Sequence, residues 1–148
     1  MVAKTMAWVV LEILRSVAWP QHRAPEKFVF HSRDEMAKVW VADGGAAEQL
    51  PAVDFDKEIV VAVFSGQKNS GGYGIKIEGV YYVQNKLSRN DPTVILYREK
   101  SPEPGSMQTR NLNYPSDVEI VKDSGPHEYK FVDAGSDEGK QISKAMKR

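Results

Sequence analysis

The chain contains no cysteine, which excludes disulfide stapling, thiolate catalysis, thiolate metal sites and thioether lipid attachment. It also lacks an excess of either charge, because twenty Lys and Arg balance twenty Asp and Glu. Without the basic surplus by which many proteins hold phosphate backbones, nucleic acid is not expected as a partner. Long hydrophobic runs are missing too. The apolar stretch 6–14 is interrupted by Glu12 and followed by Arg15, so it reads neither as a membrane span nor as a secretory signal with its small-residue cleavage site. The compartment stays open.

Recognisable catalytic patterns are equally scarce. The segment Gly66-Gln67-Lys68-Asn69-Ser70-Gly71-Gly72-Tyr73 places glycines as a phosphate loop would, but Tyr73 stands where that loop needs its lysine. A strand follows it, whereas phosphate binding needs a helix N-terminus. The dinucleotide fingerprint fails as well, since Ile77 follows Gly72 and Gly74 where a third small residue is required. His22, His31 and His127 share no metal-ligand spacing, and a surface or capping role is expected for each. Ser65 and Ser70 sit in no nucleophile elbow. Asp54, Asp56 and Glu58 alternate as a solvated strand entrance does, with calcium binding as the rival reading. No catalytic residue, metal or cofactor is expected, and the chain is read as non-enzymatic.

What the chain does contain is the content of one soluble domain: 148 residues, 41% hydrophobic and 27% charged, enough to bury roughly 70% of the extended surface. Residues 5–14 read as a strand, with a helix as the rival, and 27–31 as a second strand. Ser32 followed by Glu35 is a capping box, and Met36, Val39 and Trp40 fall at helical spacing until Gly44 and Gly45. This predicts one short helix over 32–42. The unbroken apolar run 59–64 suits a central strand buried on both faces. Residues 73–77 and 93–98 predict a long hairpin turning through Asn85, Asn90 and Pro92, with shorter strands at 117–121 and 128–132. The fold class is mainly β: an antiparallel β-sandwich or partly closed barrel of seven or eight strands. Trp40, Val61, Val63, Phe64, Ile75, Ile77, Val94 and Leu96 form its expected core. The domain is taken as 1–135. Residues 136–148 carry only Ile142 and Met146 as sizeable apolar groups, and a basic tail that is flexible or held by a neighbour is expected there. The rival is a basic amphipathic helix that puts Ile142 and Met146 on one face, against an anionic membrane or a partner.

One stretch is more specific. Val53-Asp54-Phe55, the apolar strand, Gly66-Gln67, Ser70-Gly71-Gly72-Tyr73, then Lys100-Ser101-Pro102-Glu103-Pro104-Gly105 and Tyr114-Pro115 occur in an order that resembles the PrcB C-terminal domain family. The resemblance spans about 51–132, with Ser70 where relatives usually carry Thr. It implies a non-enzymatic accessory domain that binds a protein partner and stabilises a bacterial protease or surface complex. It also implies an exported or cell-surface setting, although this chain has no lipidation cysteine. A more distant likeness, to chagasin-type cysteine-peptidase inhibitors, rests on Gly72 and Tyr73. Lys68 and Asn69 replace that family's Asn-Pro, and its Arg-Pro-Trp segment is missing.

Two loops are therefore singled out: Ser70, Gly71, Gly72 and Tyr73, and Pro102, Pro104, Gly105 and Ser106. Glycine permits positive φ and close backbone approach, and Pro-x-Pro-Gly favours a turn. These loops either simply turn the chain, with Tyr73 as the first inward residue of its strand, or lie together at one end of the sandwich as a contact face.

Overall fold

The computed structural model describes residues 7–84, 93–123 and 128–146. Among the described residues eight strands occur in chain order: β1 (Ala7–Val10), β2 (Ile13–Ser16), β3 (Lys27–Phe30), β4 (Glu58–Phe64), β5 (Gly74–Gln84), β6 (Thr93–Lys100), β7 (Ser116–Lys122) and β8 (Tyr129–Asp133). They form two four-stranded sheets, ordered β1-β5-β6-β8 and β2-β7-β4-β3. The sheets face each other as an open sandwich. Every ladder is antiparallel except β6 with β8, which is parallel. That exception follows from the route of the chain, because β8 is entered from β7 in the opposite sheet rather than through a hairpin.

The run 59–64 lies between β3 and β7, with Val61 opposite both Val29 and Glu119. Its two faces feed different cores. Ile59, Val61 and Val63 meet Ile75, Ile77, Val80, Ile95 and Val121 between the sheets. Val60, Ala62 and Phe64 turn outward onto Met36 and Trp40 of helix α1 (Arg33–Ala42). This helix starts where the capping box predicts: the Ser32 Oγ accepts from the Glu35 N–H at 3.2 Å. The Trp40 indole donates to the Ala46 carbonyl at 2.8 Å and lies so close to Gly45 that a Cβ there would stand 2.4 Å from its Nε1.

All eight expected core residues are buried, but they belong to more than one layer. Val94 and Leu96 point away from the space between the sheets and pack with Val132, Ala134 and Ile142. Ile142 lies on a second helix, α2 (Asp137–Met146), where a flexible tail was expected. The helix is ordered because β6 has two apolar faces, and one of them needs a cover. Gly139 makes the approach feasible, since a Cβ at that position would overlap the Asp133 carbonyl oxygen. The Ser136 Oγ also accepts from the Gly139 N–H at 3.0 Å. The layers therefore run α1, sheet, sheet, α2.

The first expected strand is two strands. Residues 7–10 join β5, and 13–16 join β7 in the other sheet, with buried Leu11 between them donating its N–H to the Val80 carbonyl at 2.8 Å. Residues 5 and 6 and the turn at Asn85, Asn90 and Pro92 lie outside the described residues. Among the described residues no helix is long and apolar enough to cross a membrane.

Candidate functional site

Two connections cross between the sheets at the same end of the sandwich. Residues 65–73 carry the chain from β4 to β5, and 101–115 carry it back from β6 to β7. The registers dictate this coincidence: Phe64 is paired with Ser116 in one sheet and Gly74 with Lys100 in the other. The two loops then zip together. Ser65 N–H donates to the Pro115 carbonyl at 3.0 Å, and Gly71 N–H to that of Thr109 at 2.9 Å. Lys68 and Asn113 exchange a pair of bonds at 2.7 and 2.8 Å. On the opposite flank Gln67 N–H donates to the Arg23 carbonyl at 3.0 Å. Backbone groups that an isolated loop would leave to water are thus satisfied within the loop layer.

The residues singled out in the sequence divide by place. Gly72, at φ +87°, packs so tightly that an added Cβ would lie 2.7 Å from the Gln108 Oε1 and 3.0 Å from the Pro102 Cγ. It is the hinge pin between the two loops, and the close approach requires glycine. Gly72, Pro102 and Ser106 line one depression of about 300 Å³ together with Lys100, Glu103 and Gln108. Ser106 shapes its rim: its N–H and its Oγ both donate to the Glu103 carbonyl, at 3.0 and 2.6 Å, and its Oγ accepts from Gln108 at 3.0 Å. Gly71 lies deeper, at Thr109. Ser70 donates locally to the Gly71 carbonyl at 3.3 Å. Pro104 is exposed, and Gly105, at φ +81°, turns in open space.

Tyr73 precedes β5 rather than opening it as an inward residue. It is half-buried, and the Lys68 ammonium stands 5.1 Å from its ring centroid, a cation–π contact that fixes the base of the loop. The sequence reading missed the most prominent feature of the second loop. Residues 103–112 are all exposed, and among them Met107 is 99% and Leu112 61% accessible. Isolated large apolar residues in an otherwise polar fifteen-residue crossover were the signal available.

A second depression, of about 490 Å³, borders the 20–26 loop and the end of α1, lined in part by His22, Arg23, Asp43 and Gly44. Of the surface or capping role expected from sequence, His22 does not take the first: it is 8% exposed and engages Asp43, the residue that caps the end of α1. Its Nδ1 stands 2.6 Å from the Asp43 carboxylate and its Nε2 3.0 Å from that of Glu26. The Trp19 indole N–H donates to the same Asp43 oxygen at 2.9 Å, while Phe64 lies against the imidazole at 4.2 Å between centroids. With both ring nitrogens engaged by carboxylates, His22 clamps the loop to the helix terminus and has no free nitrogen to offer a substrate. His31 is exposed, with its ring 5.4 Å from Tyr129, and His127 lies outside the described residues.

The acidic cluster is used locally. Asp54 caps its own turn by accepting from the Asp56 N–H at 3.2 Å. Glu58 accepts from Arg15 at 3.1 Å and from the Asp54 N–H at 3.1 Å. The Arg15 hydrogen bond, aided by that backbone bond, holds the Glu58 carboxyl below its ordinary range. Among the described residues no group of three or more His, Asp or Glu is placed to hold a metal ion.

Residues 59–122 match the model of the family described as PrcB C-terminal. The match begins in β4 and ends in β7, so both crossing loops fall inside it. No curated protein and no solved structure matches the chain.

Proposed function

We propose, from the PrcB C-terminal match over residues 59–122, that this domain is a non-enzymatic accessory module that binds a protein partner and stabilises a protease or surface complex. Its contact face is the zipped loop pair, with Ser70, Gly71, Gly72, Tyr73, Pro102, Pro104, Gly105 and Ser106 setting the shape. The supporting observation is Met107, 99% exposed on a loop whose base is pinned by backbone bonds to its neighbour. A flexible apolar side chain presented from a rigid base loses little order on docking and adapts to its partner's surface.

Photo-crosslinking tests this in cells of the source organism. A crosslinker at position 107 should capture a subunit of a protease or surface complex, and one at exposed Glu48 on the 3₁₀ turn should not. Equal labelling from both positions would remove the proposed face. The chagasin-type alternative needs the Gly71-Gly72-Tyr73 tip to enter a peptidase cleft. Here Gly72 is packed on Gln108 and Pro102, which favours the accessory reading. Titration against a papain-like peptidase is expected to leave its activity unchanged, and stoichiometric inhibition would reverse the preference.

A further inference from the structure

The charges of the chain balance overall, twenty against twenty, but they do not balance at the loop face. Residues 64–74 and 100–116, which hold both crossing loops and the strand ends they join, carry Lys68, Lys100 and Arg110 against one carboxylate, Glu103. The neighbouring 20–26 loop, bonded to Gln67 through the Arg23 carbonyl, adds Arg23, while its own acid, Glu26, is engaged by His22 at 3.0 Å. The described ion pairs are made by Arg15, His22, Arg98 and Lys130, and none of these loop cations is among them. Lys68 lies over the Tyr73 ring. Lys100, Arg110 and Arg23 are exposed.

Two of these cations bracket the apolar tip. Lys100 closes β6 opposite Gly74, where any side chain would lie against it and glycine supplies none. It lines the depression of about 300 Å³ with Ser106 and Gln108. Arg110 falls in sequence between exposed Met107 and exposed Leu112. A surface that joins unpaired cations to solvated apolar side chains is complementary to one that joins carboxylates to apolar side chains.

We propose that the loop face takes an acidic segment of its protein partner: one carboxylate enters the depression beside Lys100, a second meets Arg110, and an apolar side chain between them covers Met107 and Leu112. This deepens the proposed contact face and rests on it, adding the chemistry of the partner. Glu103 lines the same depression and repels a second carboxylate there, so the segment alternates acids with apolar residues and is not an unbroken acidic run. An anionic membrane is the competing surface, since cations beside exposed apolar side chains also suit lipid headgroups. The depression favours protein, because a planar bilayer has no group to fill it, and two apolar side chains make a weak membrane anchor.

The purified chain and defined probes test the proposal. Amide NMR follows titration with two short synthetic peptides, one of Glu-Leu-Ser repeats and one of Gln-Leu-Ser repeats. The acidic peptide should shift Gly72, Lys100, Ser106, Met107 and Arg110, and the neutral one should bind about tenfold more weakly. Raising salt from about 50 mM to about 500 mM should weaken the acidic peptide severalfold. K100Q/R110Q should lose the preference for acid, and K38Q, on the exposed side of α1, should keep it. Equal binding of the two peptides overturns the proposal, as does an absence of shifts at the loop face or a K100Q/R110Q variant that behaves as wild type. Phosphatidylglycerol vesicles that bind the chain when the acidic peptide does not would overturn it in favour of lipid. Crosslinking from position 107 separates the two failures. A captured subunit whose crosslinked segment has no acidic excess, with the yield unchanged in K100Q/R110Q, removes the acidic partner and leaves the face standing; no capture removes the face and the acidic partner with it.

Discussion

The two outer faces of the sandwich solve one problem with unequal means. On the β2-β7-β4-β3 sheet, α1 brings Met36 and Trp40, and Trp19, Phe28 and Phe30 extend the cover as an aromatic cluster. Trp19 meets Trp40 edge-on at 5.1 Å, and Phe28 stacks with Phe30 at 5.3 Å. On the other sheet, α2 has Ile142 as its buried anchor over Val94, Leu96, Val132 and Ala134. Among the described side chains, the first face is held by many interlocking rings and the second by one branched side chain of α2 that a glycine lets close. The difference teaches that the amount of apolar surface on a helix does not decide whether it docks. What decides is the apolar surface awaiting it on the sheet.

The comparison can be broken at several points. Trp40→Ala should have the largest effect, about 3–5 kcal/mol of stability, because it empties the centre of the aromatic layer and orphans the Ala46 carbonyl. Urea unfolding measures it, and a loss under about 1 kcal/mol would mean that the aromatic layer is not the stronger cover. Ile142→Ala should destabilise by about 2–3 kcal/mol, and truncation after Gly135 by at least as much, since either uncovers Val94 and Leu96. Thermal melts unchanged by truncation would show that α2 contributes nothing. Ser32→Ala removes the α1 cap and should cost about 1 kcal/mol. Lys130→Ala breaks the exposed pair with Glu138 of α2 and should change stability by under about 0.5 kcal/mol, because surface ion pairs contribute little.

The first face was legible and the second was not, for physical reasons. Ser32, Glu35, Met36 and Trp40 carry a local signal, complete within one helix. The signal for α2 was distant. It lay in the run Val94-Ile95-Leu96, where consecutive apolar residues, like those at 59–64, announce a strand with two buried faces. The tail itself offered only Ile142 and Met146, i and i+4 apart, a helical pair that alone favours a flexible tail over a docked helix. The loop pair was legible in its residues and not in its architecture. Gly72 and Pro102 carry turn chemistry, but their contact follows from the pairing of Phe64 with Ser116 and Gly74 with Lys100, a matter of register. His22 was missed because its partners, Asp43 and Trp19, are supplied by tertiary structure.

The strand order also constrains how the chain reaches this state. Strands β1 and β2, made before the strands they pair with, occupy sheet edges, and their partners are β5 and β7. The central β4 cannot be flanked on both sides until β7 has been made. Nearly every ladder therefore closes over a long intervening segment, which places folding in the slow, millisecond-to-second regime of β-rich topologies. During synthesis the run 59–64 waits with one edge unpaired and its inter-sheet face bare, because β5, β6 and β7 follow it, the condition that invites association between nascent chains.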